Sequence, residues 1–170
     1  MNRIFVIFFV TLIITSCQEV KEYNLPNDTN WEARKIEIEH FDDLVQGQTY
    51  LPVYSHIYHR FDNRTFNLTV TVSIRNLSIS DSIYILNADY FNTEGVRIRQ
   101  YLQNPMFLKP LETVEIIIEE EDEEGGSGAN FIFNWASKNE KNPPLFEAVM
   151  ISTYGQQGIS FSTRGVQIFE

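Results

Sequence analysis

Residues 66–76 (FNLTVTVSIRN) alternate between apolar and polar side chains, and this alternation constrains the fold more than any other feature of the sequence. An extended strand places successive side chains on opposite faces, so the pattern predicts one apolar and one polar face. The apolar face consists of Phe66, Leu68, Val70, Val72 and Ile74. The segment is therefore predicted to be a half-buried antiparallel strand.

Short segments of similar character recur along the chain, and no stretch keeps a 3.6-residue period for longer than two helical turns. Residues 36–39 alternate between Ile and Glu, and further strands are predicted at 53–59, 83–91, 96–101, 113–119, 130–135, 145–152 and 158–162. Asn, Gly and Pro residues separate them, as turns require. Strands at roughly ten-residue spacing are typical of an all-β sandwich or small barrel, and we predict a single antiparallel β-sandwich.

The first residues have the character of a secretory signal. In residues 1–16 (MNRIFVIFFVTLIITS), Arg3 precedes an apolar run. This run is shorter than the roughly 20 residues that span a bilayer. Ile14, Thr15 and Ser16 lead into Cys17, an order that resembles the bacterial lipobox, in which the cysteine becomes the lipidated first residue. The alternative is an ordinary signal peptide followed by an unrelated cysteine.

These features predict three parts of the chain. Residues 1–16 are a lipoprotein signal peptide, residues 17–30 are the lipidated Cys17 and a flexible polar tether, and residues 31–170 are the β-sandwich domain. The acyl chains on Cys17 would make the membrane a partner. An Asp after the cysteine would resemble an inner-membrane retention signal, and Gln18 stands there instead. The predicted location is the bacterial cell envelope at the outer membrane, with the periplasmic or surface face left open.

Charge and cysteine content exclude several classes of protein. The 170 residues carry a net charge of −10 and form no basic cluster, which argues against a nucleic-acid partner because phosphate would be repelled. A single cysteine cannot form an intrachain disulfide or a four-thiolate zinc site. No cofactor is predicted.

Three segments resemble the immunoglobulin-like modules of bacterial envelope proteins. They are NLTVTVSIRN, ADYFNTEG and LKPLETVEI, in which a strand ends at an Asn, a Tyr or Phe precedes a Gly turn, and a Pro bend leads into the next strand. Together with YLPVYSHIYHR and GGSGANFIFNW, they make most of the chain similar to an uncharacterised family of bacterial secreted or lipid-anchored proteins of unknown function. The resemblance implies an immunoglobulin-like sandwich and an envelope location, but no activity.

Histidines offer a weak metal site. His56 and His59 form an H-x-x-H pair, but residues three apart on a strand point to opposite faces unless a bulge intervenes. His40 lies among acidic residues and could join His56 if their strands were neighbours, although this spacing does not specify a zinc site. A structural or surface role for these histidines is the alternative.

An acidic run and a glycine-rich loop follow one another. Residues 119–124 (EEEDEE) could hold calcium, but they lack the alternating pattern of a calcium loop, and we interpret them as a solvated hairpin tip. Residues 125–129 (GGSGA) imitate a nucleophile elbow around Ser127. A strand rather than a helix is predicted after that serine, so hydrolase chemistry there is disfavoured.

The segment 154–165 (YGQQGISFSTRG) is the candidate ligand site. Its polar groups are Tyr154, Gln156, Gln157 and Arg164, a combination suited to binding a glycan or peptide. A hairpin shaped by the glycines is the alternative. Ser82, between Asp81 and Ile83, resembles a short bacterial O-glycosylation motif.

No complete set of catalytic residues is found. We therefore predict a cell-envelope lipoprotein that acts as a non-catalytic binding, structural or accessory module, with an envelope protein or glycan as its partner. The alternatives are a hydrolase of envelope polymers and a metal-binding envelope protein.

Overall fold

The chain folds into two antiparallel sheets that face each other across one apolar core. The computed structural model describes residues 31–37, 43–139, 141–154 and 156–169. Within them, twelve strands follow in chain order: β1 (Val45–Pro52), β2 (His56–His59), β3 (Phe61–Asn67), β4 (Thr69–Arg75), β5 (Ile83–Phe91), β6 (Arg97–Gln100), β7 (Met106–Leu108), β8 (Thr113–Ile118), β9 (Asn130–Ser137), β10 (Leu145–Tyr154), β11 (Gln157–Arg164) and β12 (Val166–Ile168).

Ten of these strands, as far as the described residues go, belong to two sheets. The large sheet has the order β12-β1-β9-β5-β6, with β7 also paired to β5, and the small sheet has the order β11-β10-β4-β8. The strands β2 and β3 form a separate ribbon. All pairings are antiparallel. The predicted all-β antiparallel sandwich is thus confirmed.

The alternation in 66–76 has the predicted effect in β4. Val70, Val72 and Ile74 are fully buried, and they pack with apolar residues of the large sheet. The strand begins after Leu68, whose backbone N–H bonds the carbonyl of Ser55 at 2.8 Å. The preceding residues therefore belong to β3 of the ribbon rather than to the same strand.

Aromatic rings connect the two sheets through the core. Tyr90, Phe131, Phe133 and Phe146 stack in sequence, with centroid separations of 4.8, 5.3 and 4.4 Å. The first three belong to the large sheet and Phe146 to the small one. Such rings bury large apolar areas, so this stack is a main contribution to the cohesion of the sandwich.

Trp135 is held by two residues of β1. Its indole Nε1 donates a 3.0 Å hydrogen bond to Oγ1 of Thr49. The indole ring also lies over Gly47, at a place where any Cβ on residue 47 would overlap it. The close approach of strand and ring explains why glycine stands in the middle of this strand.

Several predictions about elements were wrong or incomplete. The strands β1, β7 and β12 and most of β3 were not predicted, and the segment 53–55 is not a strand. The acidic run is not a hairpin tip, because it connects β8 of the small sheet to β9 of the large one. Ile36 and Glu37 lie outside strands, and residues 38–39 lie outside the described residues. The described part of the chain contains no helix with the length and apolar character to cross a membrane.

Candidate functional site

Three amide side chains form a row across the outer face of the large sheet. Gln48 of β1 lies directly opposite Asn134 of β9, and Asn134 lies directly opposite Asn87 of β5. Neighbours of Gln48 and Asn134 along each strand point into the core, so these amides point outward. The side-chain Nε2 of Gln48 donates to Oδ1 of Asn134 at 2.8 Å. We call Gln48, Asn134 and Asn87 the amide row.

A bulge in β5 places Asn87 in this row. Ile85 pairs with Trp135, and the next pair joins Asn87 to Asn134, so Leu86 is an extra residue without a partner of its own. Core-facing apolar residues of β5 are therefore odd-numbered before the bulge and even-numbered after it. Because the side-chain period of a strand is two residues, this one-residue shift turns Asn87 to the outer face.

Hydrogen bonds fix the orientation of Asn87. Its Oδ1 accepts bonds from the backbone N–H of Ala88 at 2.9 Å and from Nε2 of Gln100 at 3.4 Å. Its Nδ2 donates to a carboxylate oxygen of Asp89 at 2.5 Å, and that carboxylate also lies 3.5 Å from the guanidinium of Arg97. Since these partners belong to β5 and β6, the row is anchored at this end of the sheet.

A cleft of about 970 Å³ opens over part of the row. The described residues that line it are Val45, Gln46, Gly47, Gln48, Leu86, Asn87, Asn134, Trp135, Gln167, Ile168 and Phe169. None of these eleven has an ionisable side chain. Apart from Trp135, whose indole N–H is bonded to Thr49, the polar side chains of the cleft are amides. Phe169 is 84% exposed at its border. The cleft offers hydrogen-bond donors and acceptors beside apolar surface, a combination that suits ligand binding.

The acidic run is held by Arg99 of β6. Its guanidinium bonds Asp122 at 2.7 Å, Glu124 at 3.0 Å and the hydroxyl of Tyr101 at 2.9 Å. Burial by itself would lower the pKa of Arg99, but the hydrogen bonds to Asp122 and Tyr101 raise it above its ordinary value. The run is thus an ion-paired crossover between the sheets, which fits a structural role.

The glycine-rich loop packs against Tyr90. The phenol oxygen of Tyr90 lies 3.0 Å from Oγ of Ser55, and any Cβ on Gly125 would overlap that phenol. Burial raises the pKa of Tyr90 to about 12 and also raises that of Tyr101, because each phenolate would lose hydration. The strand β9 follows this loop, as predicted, so Ser127 does not lie on a strand-to-helix elbow.

The predicted ligand residues are not gathered into one site. Gln156 and Gln157 lie at the turn between β10 and β11 and are exposed, and the backbone of Tyr154 pairs with Gln157. Arg164 is at the opposite end of β11, opposite Glu147, roughly 23 Å along the strand from Gln157. Arg164 instead borders a small cavity of about 160 Å³.

Predicted metal and modification residues fall in different places. His56 is half-buried in the ribbon with its ring centroid 6.4 Å from that of Tyr58, and His59 stacks on Phe66 at 4.2 Å. A register shift does occur between Tyr58 and His59. No three His, Cys, Asp or Glu side chains form a possible metal-binding group within the described residues.

Two of the predicted site residues, His40 and Cys17, lie outside the described residues. Ser82 is half-buried just before β5. Its neighbour Asp81 lies 3.8 Å from the ammonium group of Lys138. The structure thus places Ser82 beside an ion pair at the surface.

The comparisons with known proteins identify a family but no activity. A family model described as "Protein of unknown function (DUF3124)" matches residues 46–168. No curated protein matches the chain. A solved structure titled "Crystal Structure of Thermotoga maritima 1070" is similar, with a TM-score of 0.45 and 6% sequence identity, covering 71% of this chain and 92% of that one.

Proposed function

The chain belongs to the DUF3124 family of proteins of unknown function, and we propose that it is a lipid-anchored protein of the bacterial cell envelope that binds an envelope component without catalysis. The observation that carries this proposal is the cleft over the amide row. Its lining of amides and apolar groups suits recognition, whereas acid–base or nucleophilic catalysis needs an ionisable or activated group near the ligand. The protein would act as a binding or accessory module.

The amino-terminal sequence supports the anchoring part of the proposal. An apolar run ends in Ile14, Thr15 and Ser16 before Cys17, and a polar segment separates that cysteine from the first described residue, Trp31. Lipid on Cys17 would hold the sandwich near the membrane through this tether. The protein's net charge of −10 would itself be repelled by anionic lipid, so anchoring would depend on the acyl chains. An outer-membrane location and the immunoglobulin-like class of sandwich belong to the same proposal.

Two measurements on the full-length protein test the proposal. In bacteria that process lipoproteins, the wild-type chain should sediment with membranes and Cys17→Ser should be released from them. The immobilised wild-type protein should also retain material from isolated envelopes. A variant with Gln48→Met and Asn134→Leu should retain much less, because it keeps the approximate side-chain volumes but loses the amides.

The matched control changes the same chemistry elsewhere. Gln156 and Gln157 are exposed amides at the β10–β11 turn, remote from the amide row. Replacing both with Met should leave retention at the wild-type level. Membrane association of Cys17→Ser equal to wild type, or envelope retention unaffected by the loss of Gln48 and Asn134, would contradict the proposed function.

A further inference from the structure

We propose that the cleft over the amide row binds a segment of an uncharged polysaccharide. This inference rests on the proposed function and names the class of ligand that the same site would take. The ligand is thus distinguished from an acidic or basic polymer and from a peptide. Each of these distinctions follows from a different property of the cleft.

The described residues that line the cleft carry no charge, and an uncharged lining favours a neutral ligand. The eleven described residues around the cleft contribute no carboxylate, ammonium, guanidinium or imidazole group. A charged group that entered would lose hydration without gaining a counter-charge, which is costly. The neighbouring carboxylate of Asp89 is already bonded to Asn87 and lies near Arg97. An anionic polymer would additionally be repelled by the net charge of −10.

The amides have donor and acceptor atoms left for a ligand. The Gln48–Asn134 bond uses Nε2 of Gln48 and Oδ1 of Asn134. Within the described residues, no hydrogen bond uses the other two atoms, Oε1 of Gln48 and Nδ2 of Asn134. Gln48 thus keeps an acceptor atom and Asn134 a donor atom for a ligand. Sugar hydroxyls both donate and accept, so neighbouring hydroxyls match this arrangement.

The backbone pairing beneath the amide row disfavours an extended peptide across the row. Extended peptides commonly bind by adding a strand to an open sheet edge through backbone hydrogen bonds. At the row itself, Gln48 pairs with Ile168 and Asn134, and Asn134 pairs with Asn87, so the backbone groups beneath the row are used in the sheet. Recognition at the row must therefore come from side chains, and the side chains of the row are amides.

Apolar side chains complete the requirements for a sugar. Leu86, Ile168 and Phe169 border the amides, and they could contact the C–H faces of sugar rings. The volume of about 970 Å³ is at the upper end of the usual range for ligand pockets, about 300 to 1,000 Å³. A segment of several sugar units fits this space better than a single sugar does.

An array of uncharged, anionic and cationic oligosaccharides, with neutral peptides included, tests the inference. The full-length protein should bind uncharged oligosaccharides, and the double variant Gln48→Met with Asn134→Leu should bind them about tenfold more weakly or worse, since two hydrogen bonds are lost. Gln156→Met with Gln157→Met should bind like wild type. If the double variant unfolds at lower urea than wild type, Gln46→Met provides the second test, because Gln46 is exposed and lines the cleft.

The outcomes separate this inference from the proposed function. Preferential binding of charged glycans or peptides, or binding of no array member, would overturn the polysaccharide assignment. If envelope retention still depended on Gln48 and Asn134 in that case, the proposed binding role would survive with a different ligand. Retention independent of both residues would remove the binding role itself.

Discussion

Gln48 and Asn134 lie directly opposite each other on β1 and β9 and are joined by a 2.8 Å hydrogen bond between their side-chain amides. On the other face of the same two strands, Thr49 accepts the indole N–H of Trp135 at 3.0 Å. The strands β1 and β9 are therefore joined by a side-chain hydrogen bond on each face, one in the core and one at the cleft. The core bond fixes the strands that present the amides.

Replacing Gly47 with Ala should destabilise the fold by about 1 to 3 kcal/mol, the usual cost of overpacking a core. A Cβ at residue 47 would overlap the indole of Trp135, which is buried and cannot move without repacking the core. Gly158→Ala is the matched control, since it also lies in a strand but its Cβ would meet nothing closer than a backbone oxygen at 4.0 Å. Urea unfolding measures both changes, and equal stabilities would show that Trp135 does not depend on this glycine.

Replacing Asn76 with Asp should cost more stability than replacing it with Ala. The Nδ2 group of Asn76 donates to the carbonyls of Asp81, Leu108 and Lys109, and the residue is 2% exposed. Alanine leaves those carbonyls without this donor. Aspartate would in addition bury a carboxylate against three oxygens, so Asn76→Asp should lower the free energy of unfolding by roughly 3 kcal/mol or more.

Asn63 provides the control for this substitution. It is the same residue type but is exposed in β3. Asn63→Asp should therefore leave the urea midpoint within experimental error of wild type. If Asn76→Asp were as stable as Asn63→Asp, the three hydrogen bonds of Asn76 would not contribute to folding.

The stability of the protein should fall between pH 10 and pH 12 partly because of Tyr90. The folded state raises the pKa of Tyr90 from 10 to about 12, so in this interval the unfolded chain has lost a proton that the folded chain keeps. The free energy of unfolding then falls with rising pH, by roughly 2 kcal/mol over the interval. The free energy of unfolding of Tyr90→Phe should fall less over this interval. Part of its remaining fall should come from Tyr101, whose pKa is also raised. Parallel pH dependences for wild type and Tyr90→Phe would contradict this.

Arg99 and Asp122 should be coupled by about 1 to 2 kcal/mol in a double-mutant cycle with Ala, the scale of a charged hydrogen bond. Their side chains are 37% and 18% exposed and lie 2.7 Å apart, and charged hydrogen bonds in part-buried positions contribute on this scale. Lys138 and Asp81 supply the comparison, because they are 3.8 Å apart and more exposed, which predicts a coupling below about 0.5 kcal/mol. Similar coupling energies for the two pairs would mean that Arg99 does not hold the crossover.

Sequence alternation predicted β4 well and failed on β1 for a physical reason. In β4 every inward position is apolar, so the alternation can be recognised without knowing the neighbouring strands. In β1 two inward positions are Gly47 and Thr49, because Trp135 needs space over the first and a hydrogen-bond acceptor in the second. These requirements come from β9, which is far away in the sequence.

The amide row was missed for a related reason. Gln46 and Gln48 alternate with inward residues, which was a signal available in the sequence, but β1 itself was not predicted. Asn87 reaches the outer face only because Leu86 is bulged, and a strict two-residue period would assign it to the core. The polar segment that was chosen instead, 154–165, places Arg164 at the end of β11 away from Gln157.

The acidic run shows that the sequence does not reveal the partner of a charged group. Six consecutive acidic residues are typical of a solvated segment. In the structure, Asp122 and Glu124 of this run pair with Arg99 on β6. Sequence spacing contains no information on that pairing because the two segments meet only through sheet topology. The same holds for Tyr90 and Ser55, which are 35 residues apart.

The most direct test of the binding site is an NMR titration that follows side-chain amide signals while an uncharged envelope oligosaccharide is added to the protein. Binding in the cleft predicts that the amide signals of Gln46, Gln48 and Asn134 shift together and saturate, while those of Gln156 and Gln157 stay unchanged. Saturating shifts at Gln156 and Gln157 with unchanged signals from Gln48 and Asn134 would contradict the assignment of the site.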